Sequence, residues 1–134
     1  MNRWILSYAI GIAIAGMVVH AHHSISAVYD TSRQVAVEGV TEFRFINPHP
    51  FLMMDVKDGR GKAQQWRLEM DNRSELAEIG VTAETWKQGD WIVVTGSPAR
   101  TQADSIYVRR PDRPADGFRY EQVGSSPRIR IPSR

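Results

Sequence analysis

The sequence predicts a mainly β domain, a small five-stranded barrel with one short helix, preceded by a cleaved signal peptide. Three observations predict this organisation. Apolar and polar residues alternate in short runs that are separated by glycine- and proline-containing turns. A single helical pattern with capping residues lies between the third and fourth runs. An uncharged stretch precedes all of them at the N-terminus.

The N-terminus has the layout of a secretory signal. Arg3 precedes an uncharged run from Trp4 to Val19, and Val19 and Ala21 are small residues at the −3 and −1 positions of a cleavage site. The run is shorter than the roughly 20 residues that span a bilayer, although a retained membrane anchor is the alternative. We therefore predict a signal peptide at 1–21 and a periplasmic or otherwise exported protein, whose mature chain begins with an N-terminal arm at 22–32.

The first three strands are separated by two turns. The first strand covers 34–46, and its apolar residues are spaced in twos with a phase slip near Gly39, which predicts a long strand that bends or bulges. A stiff Asn47-Pro48-His49-Pro50 turn leads to a second strand at 51–57. A hairpin turn at 58–61 leads to a third strand at 64–70.

A helical pattern follows the third strand. Residues 71–80 predict a short helix that Asp71 or Asn72 caps, and strands four and five are predicted at 91–96 and 105–109. The β domain thus covers 33–110. The last segment, 111–134, is rich in proline and arginine, and it is interpreted as a loose tail with Phe118 and Tyr120 docked.

Three strands, a helix and two strands, in that order, are typical of a Greek-key barrel of the oligonucleotide/oligosaccharide-binding (OB) type. A bent first strand serves both sides of such a barrel. An open antiparallel sheet with one packed helix is the alternative.

Composition excludes several function classes. The chain has 17 Lys and Arg against 15 Asp and Glu and no cysteine, so disulfides, zinc–cysteine sites and cysteine nucleophiles are excluded. Near-neutral charge and export argue against nucleic-acid binding. The sequence contains no Gly-x-Ser-x-Gly, phosphate-loop or dinucleotide motif, so it indicates no catalytic residue and does not indicate an enzyme.

The histidines suggest a metal site. Cleavage after Ala21 makes His22 the first residue, whose α-amine and Nδ1 can chelate one ion, with His23 next to it and His49 in the rigid turn. Nitrogen ligands favour Cu(II), with Ni(II) and Zn(II) as competitors. We predict a copper ion held by His22 and His49, with His23 as the alternate ligand. Glu69 is expected to orient one of the histidine rings without binding the ion itself. The alternative is that these are ordinary tail and turn residues.

The pairing of His22 with His49 resembles the histidine brace of copper proteins such as the lytic polysaccharide monooxygenases and some periplasmic copper carriers. The resemblance is confined to these residues and does not extend to the fold. It implies a ligand set of one amine and two imidazole rings.

Longer segments resemble a family of small exported bacterial proteins of unknown function. They are AHHSISAVYD, FINPHPFLMMDVKD, QWRLEM and WKQGDWIVVTG, which together span about 21–110. The resemblance implies an exported, single-domain, mostly β protein without an established activity, and it assigns no catalytic residue.

Two functions therefore compete, and a third, an oxidative copper enzyme, would need a substrate surface and an open coordination position that the sequence does not indicate. One is an exported copper-binding protein that acts as a carrier, sensor or accessory factor. The other is a metal-free OB-like module whose first three strands bind a glycan, a peptide or an envelope protein. Membrane contact is expected only through an uncleaved signal, and the sequence does not indicate the oligomeric state.

Overall fold

The computed structural model describes residues 24–123 and 126–131, so the predicted signal peptide and the first residues of the arm lie outside the described part. Within those residues the elements are α1 (Ile25–Val28), β1 (Val35–Arg44), β2 (Phe51–Lys57), β3 (Ala63–Glu69), α2 (Arg73–Glu78), β4 (Trp91–Pro98), β5 (Ser105–Arg113), β6 (Phe118–Val123) and β7 (Ser126–Arg130). No helix in this part is both long and apolar enough to cross a membrane.

The first five strands close into a barrel. The strand order is β3-β2-β1-β4-β5-β6-β7, and β3 also pairs with β5. This closing pair is parallel and runs from Arg67 opposite Ser105 to Glu69 opposite Tyr107, whereas the other pairs are antiparallel. The predicted mainly β, OB-like Greek-key barrel is confirmed, and the open-sheet alternative is wrong.

Strand β1 changes partner at Gly39 and Val40. Residues 35–40 pair with β4, while residues 40–44 pair with β2. A Cβ atom on Gly39 would lie 2.2 Å from the Asp55 carbonyl oxygen. Glycine therefore permits the close backbone approach that lets one strand serve two sides of the barrel.

The burial of β1 differs from the predicted phase slip. Val37, Gly39 and Thr41 are buried in strict alternation, and Val40 is 44% exposed. The predicted phase slip followed the large apolar side chains, which include Val40, but the inward-facing residue at this point of the strand is Gly39. The strand bends without shifting its alternation.

Replacing Gly39 with alanine should destabilise the barrel by about 1–3 kcal/mol, because the new methyl group has to push β1 and β2 apart. Urea unfolding measures this effect. Gly59→Ala is the matched control, since a Cβ there meets nothing within 4 Å. Equal unfolding midpoints for the two variants would refute the close-approach explanation.

Helix α2 and the chain after it close the core. Asn72 caps the helix, accepting a 2.9 Å hydrogen bond from the Glu75 amide, which leaves Asp71 free for another role. Leu76 and Trp86 belong to the same buried cluster as the inward residues of the strands. Trp86 meets the rings of Phe43 and Phe118 edge-on, with centroids at 5.0 and 5.7 Å.

The structure differs from the predicted loose tail. Strand β5 continues to Arg113, and β6 and β7 extend the sheet beyond the barrel. Tyr120 is fully buried, and Phe118 packs against the core. The prolines suggested an unstructured segment, but Pro111 lies within β5 and pairs with Val94 of β4.

Candidate metal centre at the 47–50 turn

The turn that carries His49 is tied to the chain between β3 and α2. The Arg73 amide donates to the Pro48 carbonyl at 3.0 Å, and the Met70 amide donates to the Pro50 carbonyl at 2.9 Å. The two prolines also fix their own φ angles. The turn is therefore braced on both sides of His49, which restricts where the ring can lie.

The imidazole ring of His49 is oriented by a backbone carbonyl. Its Nδ1 lies 3.0 Å from the Met70 oxygen. Because a carbonyl only accepts, Nδ1 carries the hydrogen and donates it, and the lone pair of the neutral ring is on Nε2. Metal-binding histidines commonly have this arrangement, with one nitrogen fixed by an oxygen and the other available to the ion.

Glu69 lies between this ring and the N-terminal arm. Its Oε1 is 3.8 Å from Nδ1 of His49, and its Oε2 accepts a 2.7 Å hydrogen bond from the Tyr29 hydroxyl. The structure thus brings Glu69 close to His49, one of the three histidines whose rings the sequence analysis expected it to orient. The 3.8 Å separation is too long for a hydrogen bond, and Nδ1 is already bonded to Met70, so an orienting role for Glu69 stays a prediction.

Sequence reasoning missed Tyr29. Its side chain is 5% exposed, and its ring packs against that of Tyr107 at 5.6 Å between centroids. Burial, reinforced by the hydrogen bond to Glu69, raises the pKa of Tyr29 to about 12. The one tyrosine of the arm, which otherwise has no Phe, Trp or Tyr, was the available signal for this docking.

The arm is also held by its backbone. The Asp30 amide donates to the Pro98 carbonyl at 2.8 Å, and the Arg100 amide donates to the Val28 carbonyl at 2.9 Å. Tyr29 forms an isolated bridge with Ala99. The arm therefore folds back onto the barrel after α1, as the predicted site requires.

Asp71 is a second residue whose role the sequence did not indicate. It is 6% exposed, and its carboxylate accepts hydrogen bonds from the hydroxyls of Tyr107 and Tyr120. Burial raises the pKa values of both tyrosines, and the nearby Asp71 carboxylate adds to the effect. This cluster fixes the 70–73 segment, which in turn holds the His49 turn.

The raised tyrosine pKa values predict a loss of stability in alkali. Above the usual tyrosine pKa of 10.0 the unfolded chain releases phenolic protons that Tyr29 retains to about 12 in the folded state, so the free energy of unfolding falls with pH. Urea midpoints from about pH 8 to about pH 11 measure this fall. It should be shallower in Tyr29→Phe and Tyr120→Phe, and an unchanged slope in both variants would contradict the assignment.

The remaining predicted ligands, His22 and His23, lie outside the described residues. Within 24–123 and 126–131 there is no group of three or more His, Cys, Asp or Glu side chains that is able to hold a metal ion. His49 would thus need ligands from the start of the arm. Met54 and Met70 are fully buried in the core, and Met70 contributes its carbonyl, not its sulfur, to the histidine.

The fold and this turn define a small OB-like barrel protein with a histidine presented beside a docked N-terminal arm. Residues 10–106, well over half of the chain, match a family described as a family of unknown function (DUF6152), and the chain belongs to this family. The resemblance to an unknown-function family is therefore confirmed. No curated protein and no solved structure shows significant similarity to the chain.

Proposed function

We propose that the protein is exported, is cleaved after Ala21, and binds one divalent copper ion between its new N-terminus and the 47–50 turn. His22 supplies its α-amine and ring, and His49 supplies Nε2. The observation that carries this proposal is the His49 ring itself, which donates from Nδ1 to Met70 O at 3.0 Å and so keeps its other nitrogen for an ion.

The chemistry of this donor set favours copper. An α-amine with a pKa near 8 and an imidazole with a pKa near 6.5 both lose their protons at little cost near neutrality. Together with a second ring they offer only nitrogen, which suits the tetragonal preference of Cu(II) better than that of harder ions.

The position of the arm supports the required geometry. Tyr29 contacts Glu69, which is itself 3.8 Å from the His49 ring. His22 precedes Tyr29 by a stretch whose extended length is at most roughly 23 Å, and the turn of α1 shortens it. The proposal thus requires residues 22–28 to run from Tyr29 toward the 47–50 turn.

Copper titrations of protein that begins at His22 test the proposal. A Gly-Ser-Gly-Ser extension blocks the terminal chelate without placing a histidine third in the chain, where it would create a different copper motif. We expect the extension to weaken Cu(II) binding at least about tenfold. Equal affinities for the extended and unextended proteins would refute the site, and His23→Ala distinguishes the alternate ligand.

An exposed apolar pair favours a second candidate function, a metal-free barrel that binds a glycan, a peptide or an envelope protein. Trp91 is 51% exposed and pairs across β1 and β4 with Val40, which is 44% exposed. Exposed tryptophan beside apolar surface is typical of recognition sites. Quenching of tryptophan fluorescence by soluble oligosaccharides or peptides, lost in Trp91→Ala but kept in His49→Ala, would support this candidate instead.

A further inference from the structure

We infer that the outward face of the barrel around Trp91 binds an extended segment of a partner protein that carries basic residues at alternate positions. The surface consists of Trp91, Val40, Glu38 and Asp55, and we call it the Trp91 patch. It belongs to the second candidate function, the metal-free recognition barrel, on which this inference rests. Copper and the histidines have no part in it.

The apolar centre of the Trp91 patch is set by strand register. Trp91 of β4 lies directly opposite Val40 of β1. Their neighbours Gly39 and Ile92 are buried in the barrel. Alternation along each strand therefore turns Trp91 and Val40 outward, where they are 51% and 44% exposed. The described residues thus leave an indole ring and a valine open to solvent side by side.

Two carboxylates flank this apolar pair. Asp55 of β2 lies opposite Val40, and Glu38 lies two residues before Val40 on the same face of β1, diagonal to Trp91. Both carboxylates are exposed. Neither forms an ion pair with another described residue, including Lys57, which lies two residues beyond Asp55. They are therefore available to cations of a partner.

An exposed indole ring between carboxylates matches the chemistry of Arg and Lys side chains. The negative face of the ring attracts a cation, and a carboxylate accepts charge-assisted hydrogen bonds from guanidinium or ammonium groups. The aliphatic stems of Arg and Lys cover apolar surface while their charged heads reach past it. Since the whole chain has 17 Lys and Arg against 15 Asp and Glu, the attraction comes from the Trp91 patch and not from the net charge.

The spacing of the carboxylates favours an extended partner. Glu38 and Asp55 are two residues apart along the strands and one strand apart across the sheet, so their backbones are separated by roughly 8 Å. In an extended peptide, the side chains of residues i and i+2 leave the same face roughly 7 Å apart. Two basic residues at alternate positions can therefore reach both carboxylates while the peptide lies across Val40 and Trp91.

Isothermal titration of the full chain with synthetic peptides, in buffer that contains EDTA, tests the inference without any contribution from copper. The probes are Gly-Arg-Gly-Arg-Gly-Arg-Gly and the same peptide with glutamate in place of arginine. We expect saturable binding of the arginine peptide and none of the glutamate peptide. Binding should shift the amide resonances of Val40 and the indole resonance of Trp91, and it should weaken as salt is raised.

Variants of the Trp91 patch separate its two parts. Trp91→Ala should weaken binding of the arginine peptide at least about fivefold, because the ring that attracts the cation is lost. The double variant Glu38→Gln and Asp55→Asn should weaken it by a similar factor, about fivefold, and should reduce its dependence on salt. All three side chains are exposed, so the variants should fold as the unsubstituted chain does.

Matched controls make the same changes at other exposed positions. Ile46 is 49% exposed, and Ile46→Ala removes apolar surface away from the Trp91 patch. Glu78 and Glu84 are exposed and unpaired among the described residues, so Glu78→Gln with Glu84→Gln removes the same number of charges. Both controls should bind the arginine peptide as the unsubstituted chain does.

The outcomes separate this inference from the function on which it rests. If maltohexaose or the glutamate peptide binds at Trp91 and the arginine peptide does not, the recognition barrel stands and the basic partner is wrong. Equal affinities of the arginine peptide for the Trp91 patch variants and the controls would also overturn the inference. Self-association of the unsubstituted chain in sedimentation, abolished by Arg128→Gln with Arg130→Gln, would assign the Trp91 patch to a second copy and not to a partner.

Discussion

His49→Ala should weaken Cu(II) binding by at least about tenfold, because one of two rings is lost from the proposed ligand set. Its effect on folding should be small. The side chain is 38% exposed and makes one hydrogen bond, to Met70, so stability should fall by no more than about 1.5 kcal/mol. Isothermal titration with Cu(II) and urea unfolding of the same preparation measure the two effects.

The control for this variant is His23→Ala, which removes a histidine that is not a primary ligand in the proposed site. It should reduce affinity less than His49→Ala does. Undiminished copper binding by His49→Ala would remove the turn from the site and leave only the N-terminal residues as ligands.

Asp71→Ala should have the largest effect on stability, a loss of about 2–4 kcal/mol, because the buried Tyr107 hydroxyl loses its acceptor and the buried Tyr120 hydroxyl loses one of its two acceptors. The site should be affected as well, since Met70 and Arg73 on either side of Asp71 hold the 47–50 turn. Urea unfolding measures the loss. Asp55→Ala, at an exposed position of β2, is the matched control and should stay within about 0.5 kcal/mol of the unsubstituted protein.

If both aspartate variants unfolded at the same denaturant concentration, the tyrosine–aspartate cluster would not be a stabilising element. Single Tyr107→Phe and Tyr120→Phe variants divide the expected loss between the two hydroxyls. Each should cost less than Asp71→Ala, because in each the carboxylate keeps one donor.

Local patterns were enough to predict the barrel. The alternation of apolar and polar residues predicted the first five strands. Their order, three strands, a helix and two strands, predicted the OB-like barrel. The parallel pairing of Arg67–Glu69 with Ser105–Tyr107 closes that barrel. The bend at Gly39 was also predictable, because a glycine inside a strand marks a close approach. These are short-range signals, since each depends on neighbours along the chain.

The parts that sequence reasoning missed depend on contacts between distant residues. The hydrogen bond from Tyr29 to Glu69 spans 40 positions, and that from Tyr120 to Asp71 spans 49. Nothing near Asp71 indicates that two tyrosines bond to it, so the residue was interpreted only as a helix cap. Likewise, β6 pairs with β5 of the barrel, and β7 pairs with β6. The arginine- and proline-rich sequence of this segment does not indicate that it can pair with a strand formed earlier in the chain.

The most direct measurement is native mass spectrometry of the full-length chain, expressed with residues 1–134 and recovered from the cell envelope after incubation with equimolar Cu(II). The account predicts a chain that begins at His22 and carries one copper ion, and a His49→Ala protein with the same N-terminus that loses the ion under the same conditions. A chain that retains Met1, or one that begins at His22 and holds no copper, would contradict it.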